Sequence, residues 1–118
     1  MMTPIERYQA GPRMSKAVRH GSQIFLCGQT ATGSDAKGIA EQTQEVLARI
    51  ESRLSTQGSD KSKLLSVLIH LRSMDDFAKM NEVWEVWLPR DAAPARTTVQ
   101  AALASPDLLV EMTVVAAV

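Results

Sequence analysis

The sequence predicts a single α+β domain over residues 1–118, with two helices packed on one face of a β-sheet and elements in the order β-β-α-β-α-β-β. Three observations carry that reading. Apolar and polar residues alternate along 94–100 and 110–115, the period of half-buried strands. Between 38 and 57 the period changes, and Ile39, Thr43, Val46, Leu47, Ile50 and Leu54 recur at helical spacing. A second helical stripe, Phe77, Met80, Val83, Trp84 and Trp87, lies between two strand patterns. Two helices cannot cover both faces of such a sheet, so they are expected on the face that carries the alternating apolar residues. The other face is solvated or meets another subunit, and a symmetric oligomer is expected to cover part of it.

Along the chain, residues 5–8 suit a short first strand and Ala10-Gly11-Pro12-Arg13 a turn. Residues 17–20 and 23–27 flank Gly21-Ser22, where glycine supplies the positive φ of a type II′ hairpin turn. Gly28, at the end of the second hairpin strand, lets a ligand or another backbone approach closely; a plain bulge or turn also accounts for it. A polar loop over 30–37 leads into the first helix, which gains from Glu45 and Arg49 four residues apart and stops at Gly58. In the strand 64–71, Leu65, Val67, Ile69 and Leu71 line one face and Leu64, Ser66, Leu68 and His70 the other, with His70 read as a partnered structural histidine. Ser73 suits an N-cap, Asp75 and Asp76 the first turn of the second helix, and Pro89 its end. Its Trp and Met residues read as a stripe against the sheet, and Asn81 as a polar residue beside that stripe.

In the last two strands, Arg96, Thr98 and Gln100 alternate with Thr97, Val99 and Ala101, and Glu111 and Thr113 with Val110, Met112 and Val114. Antiparallel pairing across the Ser105-Pro106-Asp107 turn would gather Arg96, Thr98 and Glu111 on the face away from the core. That set reads either as a cross-strand ion pair on a solvated sheet or as a site for a small carboxylate. In the second case Arg96 is a bidentate clamp and Glu111 the acid/base group.

Composition narrows the function classes. Thirteen Lys+Arg and 13 Asp+Glu give a formal net charge of zero, against electrostatic capture of nucleic acid or an anionic membrane. No apolar run reaches the length of a membrane span, and the N-terminus lacks the apolar core of a signal peptide. Cys27 is the one cysteine, which excludes an intrachain disulfide and is consistent with a reducing cytoplasm. Two histidines, His20 and His70, are too few for a usual zinc site, so no metal is expected.

Cys27-Gly28-Gln29 after a hairpin strand, Asp76-Phe77 with Asn81 in the second helix, Pro94-Ala95-Arg96-Thr97-Thr98-Val99 and Val110-Glu111 together resemble the Rid (YjgF) family of enamine/imine deaminases. The resemblance spans nearly the whole chain with the same element order. It implies a chorismate-mutase-like fold with a mixed β-sheet, assembled as a homotrimer whose sheets line a central barrel and whose ligand clefts lie between subunits. It also implies that Arg96 binds the substrate carboxylate, that Glu111 positions or activates water, and that Asn81, Cys27, Gly28 and Thr98 belong to the cleft. Cys27 stands where the family often has serine, and Thr98 where it often has cysteine. Deaminating members often carry a tyrosine after Gly-Pro; this chain has Gly11-Pro12-Arg13-Met14-Ser15, so Arg13 or Ser15 is expected in that region. These departures mark a divergent subgroup.

The implied reaction needs no metal or organic cofactor. A protonated 2-imino acid such as 2-iminopropanoate, the tautomer of 2-aminoacrylate, is already electrophilic, and one carboxylate can accept a proton from water and return it to the leaving nitrogen. Cys27 as a nucleophile would need a nearby base, and none is adjacent in sequence. Two other functions stay open: a non-catalytic binder of small carboxylate metabolites that keeps Arg96 without depending on Glu111, and a ribonuclease or translation inhibitor, against which the zero net charge argues.

Overall fold

The computed structural model describes residues 3–118. Strand β1 (Ile5–Tyr8) and the hairpin β2 (Ala17–His20) and β3 (Gln23–Leu26) precede helix α1 (Ile39–Thr56). Strand β4 (Leu64–Leu71), helix α2 (Phe77–Trp87), strand β5 (Ala95–Gln100) and strand β6 (Val110–Ala117) follow. Gly21 at the β2-β3 turn has φ +63°, and Ser22 is not in the positive-φ region, as a type II′ turn requires.

All six strands join one mixed sheet in the order β1-β2-β3-β6-β4-β5. Strand β5 runs parallel to β4, while β6 is antiparallel to both β3 and β4 and is inserted between them. Parallel neighbours need a crossover, and α2 supplies it between β4 and β5. The fold class, the element order and the two helices on one face are as the sequence predicts. The expected antiparallel pairing of β5 with β6 is not. Those strands are close in sequence, but β4 lies between them.

Helix α1 forms where its stripe demands. Ile39, Thr43, Val46, Leu47, Ile50 and Leu54 are all buried, joined by Gln42. Glu41 Oε2 accepts from Gly38 N–H at 2.9 Å to close the N-terminus. Gly58, at φ +76°, turns the chain at the other end, where Ser59 N–H reaches Leu54 O at 2.9 Å. The stripe packs with Met80 and Trp84 of α2 onto Ile24, Leu26, Val67, Ile69, Leu71, Val110, Met112 and Val114 of the sheet. In β4 a register shift between Leu64 and Ser66 changes the expected set: Leu64 is buried and Leu65 is exposed.

The far face of the sheet carries no helix. It presents exposed Phe25, Leu68 and Val99, with His70, Thr113 and Glu111 among them.

Candidate functional site

Pairing settles which face each candidate occupies. Residues directly opposite in a ladder share a face. Arg96 pairs with Val67 and Thr98 with Ile69, and both β4 residues are core-facing, so Arg96 and Thr98 point to the helix side. Glu111 pairs with His70, between core-facing Ile69 and Leu71, so Glu111 points to the open side. The expected gathering of Arg96, Thr98 and Glu111 on one face within a protomer is therefore corrected. The cause is the edge position of β5: its parallel register on β4 turns Thr97 and Val99 outward and Arg96 and Thr98 toward α2.

Arg96 is held by aromatic rings. Its guanidinium carbon stands 5.4 Å from the Trp84 ring centroid and 5.9 Å from that of Phe77. The two residues belong to one stripe of α2, which meets the sheet beneath Arg96. Burial pushes the Arg96 pKa below its ordinary value, and Glu85 pulls it back up. Among the described residues no carboxylate lies within ion-pair distance of Arg96. The guanidinium opens into a cavity of about 450 Å³ bounded by Asn81, Trp84, Glu85, Arg90 and Asp91. Asn81 Oδ1 and, on β5, Thr98 Oγ1 are buried without a hydrogen-bond partner. Arg96, Asn81 and Thr98 thus lie on one side of the sheet, at the β5 edge.

Glu111, Gly28 and Cys27 lie together elsewhere. Phe25 pairs with Val115 and Gln29 with Met112, so four steps along the β3 segment match three along β6. The extra residue is a bulge, which Gly28 permits and which sets its Cα beneath the Glu111 side chain. A Cβ at position 28 would come within 2.9 Å of Glu111 Cδ. The bulge also sends Gln29 inward, where it is buried. Its Nε2 donates to Cys27 O at 2.8 Å and to Cys27 Sγ at 3.3 Å, and its Oε1 accepts from Arg53 Nε at 3.0 Å. Cys27 is half-buried, and its sulfur accepts a hydrogen bond from the Gln29 amide.

Arg13 stands apart from both groups. It lies in the exposed β1-β2 turn, closed by Gly11 N–H to Met14 O at 2.8 Å. That turn belongs to the edge of the sheet opposite β5. Within one protomer the predicted site residues therefore fall in three places.

Several organising residues escape a sequence reading. Gln42 is buried and ties two loops together: its Nε2 donates to Ala36 O at 3.3 Å in the loop before α1 and to Asp107 O at 2.8 Å in the loop before β6, and its Oε1 accepts from Leu109 N–H at 2.9 Å. Arg72 fastens the same loop through Leu108 O at 2.7 Å and Ser105 O at 2.6 Å. The signal for Gln42 was its place next to Thr43 on the buried side of α1. The α2 stripe predicts burial for Phe77 as well as Trp84; Trp84 is buried but Phe77 is exposed, and the stripe does not show that both rings flank Arg96. His70, read as partnered, has a buried Nδ1 with no hydrogen-bond partner.

Residues 5–118 match the family model described as Endoribonuclease L-PSP. The chain is 41% identical over 114 residues to the RutC family protein YoaB of Escherichia coli, covering 97% of this chain and 98% of that one. It is 42% identical over 98 residues to the mitochondrial protein mmf2 of Schizosaccharomyces pombe, covering 80% of this chain and 77% of that one. Its fold superimposes on a YjgF-family protein of Neisseria meningitidis with TM-score 0.93 and 39% identity, covering 99% of this chain and 97% of the other. On full-length sequence and fold together, the chain belongs to the Endoribonuclease L-PSP family, which comprises the YjgF, Rid and RutC proteins.

Proposed function

We propose that the protein hydrolyses small reactive 2-imino acids, of the 2-iminopropanoate type, to 2-keto acids and ammonia. The sites are clefts between neighbouring copies of a homotrimer. The observation that carries this reading is the Arg96 guanidinium: partly desolvated, flanked by Trp84 and Phe77, and without a carboxylate partner among the described residues. A charge held in that way is prepared for an anion, and the planar fork suits a carboxylate. The Asn81 Oδ1 buried beside the same cavity is an acceptor waiting for a donor, as an iminium nitrogen would be.

Glu111 supplies the second half. Its carboxylate rests over Gly28 on the open face, which is apolar enough at Phe25, Leu68 and Val99 to favour cover by another copy. Setting the β5 edge of one copy against the open face of the next would bring Arg96 and Glu111 to one cleft. There Glu111 takes a proton from water as the oxygen bonds to the iminium carbon, giving a carbinolamine. The same carboxyl returns that proton to nitrogen; as the C–N bond breaks and ammonia leaves, the carboxylate takes the hydroxyl proton, the C=O of the 2-keto acid forms, and the proton passes to the departing ammonia as ammonium. Neither step needs a metal or an organic cofactor. With Cys27 the single cysteine, the chain suits a reducing compartment such as the cytoplasm.

The test generates 2-imino acids in situ with an amino-acid oxidase and traps them with semicarbazide. Wild type should outcompete the trap, and Arg96→Ala and Glu111→Ala should not. A wild type inert across several side chains would overturn the deaminase reading. The exposed Gly11-Pro12-Arg13-Met14 turn, without the tyrosine common in deaminating relatives, favours as second reading a binder of small carboxylates. In that case carboxylates would still protect the protein thermally through Arg96. An RNA-cleaving role draws no support from a net charge of zero.

A further inference from the structure

We propose that His70 is a positioning residue for Glu111, offering its carboxylate a second resting place across the β4-β6 pair. The inference rests on the reading of Glu111 as the base, but the pairing itself is testable without turnover. Three observations carry it. His70 and Glu111 are directly opposed in the antiparallel ladder, and both lie on the open face. Side chains in that relation have Cβ atoms about 4.5–5.5 Å apart, within reach of one rotation of a glutamate. His70 Nδ1 is buried and has no hydrogen-bond partner, an arrangement that proteins seldom leave unclaimed. On its other flank the Glu111 carboxyl lies against the bare Cα of Gly28.

The surroundings leave Glu111 as the natural partner. From β5 the open face offers Thr97 and Val99, and along β4 it offers Leu68, none of them ionisable near neutrality. Arg72, the next cation along the chain, is turned into the loop after β5 and held by Leu108 O and Ser105 O. Glu111 is thus the one acid or base that faces His70 among the described residues. Two positions follow for its carboxylate. Over Gly28 it is free to take a proton from water. At His70 Nδ1–H it accepts a hydrogen bond and is withdrawn from service as a base.

Carbon-13 and nitrogen-15 NMR of the full-length protein at fixed pH, following the Glu111 carboxyl carbon, the His70 ring nitrogens and the Gly28 amide, tests the pairing. His70→Leu should shift the Glu111 carboxyl carbon and the Gly28 amide, and Glu111→Gln should shift His70 Nδ1. Glu111 and Gly28 signals unmoved by His70→Leu, or a His70 Nδ1 unmoved by Glu111→Gln, overturn the pairing. In the deaminase assay His70→Leu, which removes the second resting place, should raise kcat about twofold or more with KM unchanged. Shifted signals together with an unchanged kcat overturn Glu111 as the base and leave the pair standing, so the two failures are distinguishable.

Discussion

Arg96 and Glu111 project from opposite faces of the same sheet, with β4 between their strands. No rotamer change can bring them together through a layer of buried Val67 and Ile69. A site that uses both must take Arg96 from one copy of the chain and Glu111 from another.

Co-assembly tests this directly. Arg96→Ala and Glu111→Ala, each inactive alone, should regain activity when mixed at equal amounts, unfolded and refolded together. In a cyclic oligomer about a quarter of the clefts would then pair an intact arginine with an intact glutamate. Activity near a quarter of wild type is expected from the mixture. No recovery from a mixture shown by mass spectrometry to contain mixed oligomers would place both residues in one protomer's site or neither in any.

Arg96→Lys keeps the charge and loses the fork and the ring stacking. Trading two charge-assisted hydrogen bonds for one should raise KM for a 2-imino acid about 10- to 100-fold. Because β5 is an edge strand, melting temperature should hardly move. A lysine variant with wild-type KM would mean that the guanidinium is not the carboxylate clamp.

What the sequence tells and what it withholds divide along a physical line. Amphipathic period is a local property, so the α1 stripe from Ile39 to Leu54 is readable, and so is the α2 stripe around Met80 and Trp84. Strand alternation tells which residues share a face, but not which strand is the neighbour or which face meets the core. On β5 the two sets, Arg96 with Thr98 and Thr97 with Val99, are too evenly balanced for hydrophobicity to choose. The missing signal lay in element order: a strand, a helix and a strand in succession commonly form a parallel crossover unit, and that excludes the short antiparallel hairpin with β6. The bulge at Leu64–Ser66 is equally silent, since it depends on a partner distant in sequence; at Gly28 the glycine allowed a bulge to be read, but not that Glu111 lies over it. The site residues suffered most, because their company is set by these pairings.

Gly28→Ala separates stability from catalysis. Gly28 is not at positive φ, so alanine suits its backbone, and lower chain entropy in the unfolded state offsets part of any strain. The new methyl would meet Glu111 at Cδ, 2.9 Å, and at Cγ, 3.2 Å, and drive the carboxylate off its perch. The expected outcome is a nearly unchanged melting temperature with kcat lower by about 10²-fold, the low end of what acid/base catalysis contributes. An equally active variant would show that the carboxylate position over Gly28 has no part in the reaction.

Thr98→Val makes the opposite separation on the helix side. The Thr98 hydroxyl is buried without a partner, so the free protein bears its desolvation with no hydrogen bond in return. Removing it at nearly constant volume should stabilise the unliganded protein by about 1 kcal/mol, read by chemical denaturation. If the hydroxyl waits for a ligand at the Arg96 cavity, the same variant should bind a small carboxylate more weakly. A destabilised Thr98→Val would instead show that the hydroxyl finds its partner in the assembled oligomer. The β5 edge would then be an interface in the absence of any ligand.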